Sequence, residues 1–177
     1  GLHSGRKISI KLLPAEEDTG IIFRRVDIDP PIEIKAIVNN VGATTLATTL
    51  IQGEVQISTI EHMLSAFAGL GIDNAIIEID DVEVPIMDGS SSSFVFLIQS
   101  AGIKEQTKPK KFIKIKKEIS VETENGAFVR LSPYDGFKVT AIIDYPKTII
   151  TKQELTIEMS PEVYTEEIAS ARTFGFQ

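Results

Sequence analysis

The sequence predicts an α+β fold: two similar sheet-and-helix units, the second incomplete. Three observations carry this expectation. Apolar and polar residues alternate with period two along most of the chain, as half-buried strands require. Two segments break that alternation with the i, i+3, i+4, i+7 spacing of amphipathic helices. A polar, lysine-rich stretch then interrupts the pattern, and strand-like alternation resumes beyond it. At 177 residues and 42% hydrophobic content, the chain is long and apolar enough to bury a real core.

In order along the chain, strands are predicted at "KISIKLL", with Ile8, Ile10 and Leu12 on one face, then at "GIIFRRV", "EIKAIV", "EVQIS" and "NAIIEI". Ile60, Met63, Leu64 and Phe67 mark the first helix. Ser58 stands three residues before Glu61, the spacing of a capping box, and "GLG" ends the helix. Phe94, Leu97, Ile98 and Ala101 mark the second, with the serines after "MDG" available as caps. Residues 1–101 are thus expected to form the first domain, 102–111 a linker ("GIKEQTKPKK"), and 112–177 the first part of a second domain. There the strand patterns are "FIKIKKEISVET", "AFVRLSP", "FKVTAIIDY" and "ELTIEMS", followed by a helix signalled by Ser160-Pro161-Glu162. No later element matches "NAIIEI" and "SSSFVFLIQSA" of the first unit, so the second sheet is expected to lack part of its cover.

Composition narrows the function. A net charge of −7 provides no global basic field for nucleic acid or an anionic membrane, so small-molecule partners are favoured. With no cysteine, a metal would have to take His, Asp or Glu ligands. No apolar run approaches the roughly 20 residues that span a bilayer. The chain opens on Gly1 without a basic start and an apolar segment, so it is expected to be cytoplasmic and trimmed at its start.

Chemistry concentrates at Glu61-His62, which holds one of only two histidines. As a capping-box residue, Glu61 needs no function: it satisfies a free N–H and favours the positive end of the helix dipole. A lone histidine is likewise more often structural than a ligand. Yet a helix N-terminus disfavours imidazolium and leaves a nitrogen lone pair for a metal, and an adjacent ionised glutamate could accept a proton from a bound water. The HExxH pattern, which places two ligands on one helix face, is absent. "MDGSSSS" has neither a phosphate cradle nor a G-x-S-x-G elbow and is read as a turn and helix cap without catalysis. The lysines of "KPKKFIKIKK" alternate with apolar residues as on a solvated strand face.

"GLHSGRKISIKLLP", "ISTIEHMLSAFAGLGIDNAIIEI", "EVPIMDGSSSSFVFLIQSAGI" and "ARTFGF", in this order and spacing, resemble the UDP-3-O-acyl-N-acetylglucosamine deacetylase family of lipid A biosynthesis. The resemblance spans nearly the whole chain. It implies two similar α+β domains, each a sheet with two helices, forming a sandwich with the active site between them, zinc as cofactor, and hydrolysis of the acetamide of UDP-3-O-acyl-N-acetylglucosamine with release of acetate. By position, His62 matches a zinc ligand, and Glu61 matches the general base that deprotonates the attacking water. Thr173 matches a threonine that stabilises the oxyanion. Phe174 and Phe176 match aromatics near the sugar-nucleotide end, and Leu2 and His3 resemble residues lining the same pocket. The full-length parent is expected to be monomeric. The rival class is a non-catalytic sugar-nucleotide binding module, which would need the pocket but neither Glu61 nor metal.

The family completes its zinc site in a later "HKxLDxxGD" segment and takes its general acid from a further histidine; neither is found up to Gln177. Residues 1–177 by themselves are therefore expected to be a C-terminally truncated form that binds zinc weakly and does not deacetylate.

Overall fold

Phe23, Ile34 and Ile77 lie side by side in three neighbouring strands, and all are fully buried. They mark the core face of a four-stranded sheet in a computed structural model that describes residues 1–175. The strands are β1 (Ile10–Pro14), β2 (Ile21–Arg25), β3 (Ile32–Lys35) and β6 (Ala75–Ile79), in the order β1-β6-β2-β3. β6 runs antiparallel to β1 and parallel to β2, and β3 closes the edge antiparallel to β2. β6 shows why the sequence alternates. Ala75, Ile77 and Ile79 are buried, while Ile76 and Glu78 face a half-exposed side. Each fully buried side chain of this kind contributes roughly 1.5–3 kcal/mol. The register continues to Arg25, opposite Ile79 and buried with it, where a bidentate contact with Asp27 offsets the charge.

Two short strands, β4 (Leu50–Gln52) and β5 (Val55–Ile57), form a hairpin whose turn uses Gly53 at φ 60°. β4 has no counterpart in the predicted elements, since "TTLATTLIQ" carries no clean alternation. Helix α1 (Glu61–Gly69) buries Met63, Ala66 and Phe67, and α2 (Ser92–Ala101), which packs against it, buries Phe94, Val95 and Ile98. The buried face of α2 is turned from the predicted one. Leu97 and Phe96 point outward and Val95 takes the inward place.

The chain falls into two units: Gly1–Lys108 together with the described residues from Pro161 onward, and Pro109–Ser160. The second contains two antiparallel hairpins, β7 (Ile119–Glu122) with β8 (Phe128–Leu131) and β9 (Lys138–Tyr145) with β10 (Thr151–Glu158). No residue of Pro109–Ser160 is buried, so Val121, Val129, Phe137 and Leu155 lie open to solvent. Isolated hairpins are at best marginal in water, and these have no helix of their own among the described residues.

The helical segment after Ser160 differs from the sequence expectation. α3 (Pro161–Val163) continues directly into a π-helical turn, Tyr164–Ile168, and groups with the first unit rather than with the strands of residues 112–160. Tyr164 is the reason. Its ring is buried against Gly69 at the end of α1, where any side chain would collide with it, and its hydroxyl hydrogen-bonds Ser65 Oγ at 2.8 Å. No helix among the described residues is long and apolar enough to cross a membrane.

Candidate active site

Glu61 begins α1, but the capping box does not form. The N-cap residue is Ile60 in helical geometry, without a side-chain cap. Ser58 is held elsewhere: its N–H donates to Val82 O at 2.8 Å, its carbonyl accepts the Val84 N–H, and its hydroxyl points to Val82 O. Thr59, at φ 57°, turns the chain between that bridge and the helix. Glu61 Oε2 instead accepts the backbone N–H of Thr48 at 3.0 Å, and Oε1 accepts no hydrogen bond from the described residues. The carboxylate is half-buried, oriented by one fixed donor, and retains an oxygen able to take a proton. His62 beside it is also half-buried.

The segments around α1 bring in the other predicted residues. Glu83, almost fully buried, accepts the N–H groups of His3 at 2.9 Å and Ser4 at 2.8 Å, with the Thr59 hydroxyl at 3.5 Å. Burial alone would raise its pKa. The His3 amide, the Ser4 hydroxyl and amide and the Gly1 ammonium outweigh burial and bring it down to about 2 from 4.5. One carboxylate thus ties the loop bearing Leu2 and His3 to the residues entering α1. Leu2 and His3 have exposed side chains.

On another side lies the turn Asp88-Gly89-Ser90-Ser91. Asp88 Oδ1 accepts the Ser90 amide and hydroxyl, and Asp88 pairs with Arg172 at 3.5 Å. The Ser90 hydroxyl and amide, with Arg172, hold the Asp88 carboxyl below its ordinary value. Gly89 O accepts the N–H of Thr173 at 2.9 Å, which fixes the backbone of the predicted oxyanion residue. Thr173 and Phe174 are exposed at this edge. Phe176 lies outside the described residues. Among the described residues there is no cluster of three or more His, Asp or Glu side chains able to hold a metal ion. The described side chains do not by themselves compose a zinc site.

The sequence matches the UDP-3-O-acyl N-acetylglycosamine deacetylase family over residues 1–177. The chain belongs to this deacetylase family. Curated relatives named UDP-3-O-acyl-N-acetylglucosamine deacetylase agree: that of Thioalkalivibrio sulfidiphilus is 53% identical, that of Cellvibrio japonicus 51% and that of Methylococcus capsulatus 54%. Each match covers 99% of this chain and 58% of the relative, so the chain spans little more than half the length of these proteins. Within this deacetylase-family chain, the sequence missed three contributors to the site: Thr48, Glu83 and the turn at Gly89–Ser91. Two of them stand in "EVPIMDGSSSS", one of the four blocks that carry the resemblance; Thr48, in "TTLATTL", has no local signal.

Proposed function

We propose that the full-length protein hydrolyses the acetamide of UDP-3-O-acyl-N-acetylglucosamine, releasing acetate and a free amine in lipid A biosynthesis. The observation that carries this reading is the Glu61 carboxylate. It leaves the capping role, is oriented by the Thr48 N–H and keeps Oε1 open beside His62. A carboxylate so held is suited to take a proton from the attacking water. The Thr173 hydroxyl, on a backbone fixed by Gly89, supplies a donor for the developing oxyanion. Phe174, Leu2 and His3 are assigned to substrate binding, as the resemblance implies; Phe176, for which the resemblance implies the same role, lies outside the described residues. Zinc is the proposed cofactor, with His62 as one ligand; when bound, it would supply positive charge beside the reacting carbonyl. No three His, Asp or Glu side chains group into a metal site among the described residues, so the polypeptide 1–177 alone is expected to bind zinc weakly and to lack turnover. We assign the protein to the cytoplasm and the full-length form to a monomer.

The test is acetate release by the full-length protein with Glu61→Gln and His62→Ala beside it. Loss of a general base typically costs on the order of 100- to 10,000-fold in rate. Wild-type turnover in both variants would defeat the mechanism. Substrate binding that persists unchanged in a protein without turnover would favour a sugar-nucleotide binding module. Calorimetric titration of residues 1–177 with zinc checks the metal assignment, since tight one-to-one binding would show ligands other than those named.

A further inference from the structure

The turn after "MDG" reads from sequence as a helix cap, yet its bonds reach well beyond α2. The buried Ser91 hydroxyl donates to the backbone carbonyl of His62 at 2.9 Å, across from α2 to the first turn of α1. The Ser91 N–H donates to Ala169 O at 3.0 Å, at the end of the helical turn that precedes Thr173. Two residues earlier, Gly89 O accepts the Thr173 N–H, and Asp88 pairs with Arg172. Ser91 is the N-cap residue of α2 through its carbonyl, which accepts the Phe94 and Val95 N–H groups, but its side chain makes no cap bond; the Ser90 hydroxyl accepts the Ser92 N–H at 3.2 Å. The Ser91 hydroxyl and N–H are thus free for two long-range bonds. One goes to the first turn of α1, which carries Glu61 and His62, the other to the segment that leads to Thr173.

We propose that Ser91 is a positioning residue that sets the spacing between the Glu61-His62 turn and Thr173, so that the proton acceptor and the oxyanion donor meet one reacting carbonyl together. This rests on the deacetylase reading above. Misplacing preorganised groups by a fraction of an ångström lowers the rate of the chemical step while leaving ground-state substrate binding largely intact. Ser91→Ala removes the bond to His62 O and leaves a small void where an oxygen was. Gly89, at φ 83°, holds the other end of the turn in a conformation few side chains tolerate.

The experiment is steady-state kinetics on the full-length protein with Ser91→Ala, Ser91→Thr, Thr173→Val and the Ser91→Ala/Thr173→Val double variant. Ser91→Ala should lower kcat about tenfold with KM changed by less than about twofold, and Ser91→Thr, which keeps the hydroxyl, should recover most of the loss. Thr173→Val should lose about 100-fold, and the double variant should lose little more than Thr173→Val alone, since a misplaced donor that is already absent costs nothing further. Should Ser91→Ala fail to fold, Ser91→Cys, similar in volume but a weak donor, takes its place with the same expectation. An active wild type whose Ser91 variants keep full kcat, or a double variant whose loss is the full product of the single losses, would overturn the positioning role alone. A wild type that releases no acetate, or an undiminished Thr173→Val, would overturn the functional reading and this proposal with it.

Discussion

Replacing Glu83 by Gln isolates a buried carboxylate held well below its ordinary value. Glu83 is buried yet ionised because the His3 amide, the Ser4 hydroxyl and amide and the Gly1 ammonium outweigh its burial. A carboxyl held at about 2 instead of 4.5 corresponds to about 3 kcal/mol of folding stability at neutral pH, at about 1.36 kcal/mol per pH unit. Glutamine keeps one acceptor oxygen but turns an NH2 toward an N–H donor, which costs one charge-assisted bond of about 1.5–3 kcal/mol, a comparable figure. For a chain of this size that predicts a fall in Tm of roughly 6–12 °C, read by circular dichroism. The sign with pH follows from the lowered value. The stabilisation is complete above about pH 4.5 and is lost as pH falls toward about 2, so the gap between wild type and variant should narrow by about 1.4 kcal/mol between neutrality and about pH 3.5. Urea unfolding of both proteins at several pH values measures that gap. A variant within about 0.5 kcal/mol of wild type at pH 7, or a gap constant with pH, would refute the reasoning.

Three further outcomes are expected. Gly69→Ala, although favourable to a helix in isolation, should destabilise by about 1–3 kcal/mol, because the new methyl would collide with the Tyr164 ring and break the Ser65 to Tyr164 bond; tyrosine fluorescence and Tm check it. Arg25→Met should cost about 3 kcal/mol by leaving Asp27 and the Gln56 carbonyl without their donor, whereas Arg24→Ala, whose pairs with Glu33 and Glu78 are partly exposed, should cost less than about 1 kcal/mol in the same urea titration. Amide hydrogen exchange should be much faster throughout Pro109–Ser160 than in β2 and β6, since those hairpins have no buried side chain to resist opening.

By itself the sequence determined what depends on near neighbours along the chain. The alternation in "NAIIEI" and "GIIFRRV" specified strands and their buried faces, because a period of two is a property of one strand. The spacing of Met63 and Phe67 specified a helix and its inward side, and four ordered motif blocks specified the family. Tertiary structure decided whatever required a partner distant in sequence. Ser58 cannot cap α1 because Val82 and Val84 already hold its backbone, and the freed Glu61 takes its donor from Thr48. Val95 displaces Leu97 from the core face because α2 is rotated by its packing on α1. Tyr164 draws the last helical segment into the first unit, since the side-chain-free Gly69 leaves room for its ring. Ser91 and Glu83 acquire their roles in the same way. A hydroxyl and a carboxylate with no local signature become organisers of the site only when folding brings His62, Ala169, His3 and Ser4 within hydrogen-bonding reach.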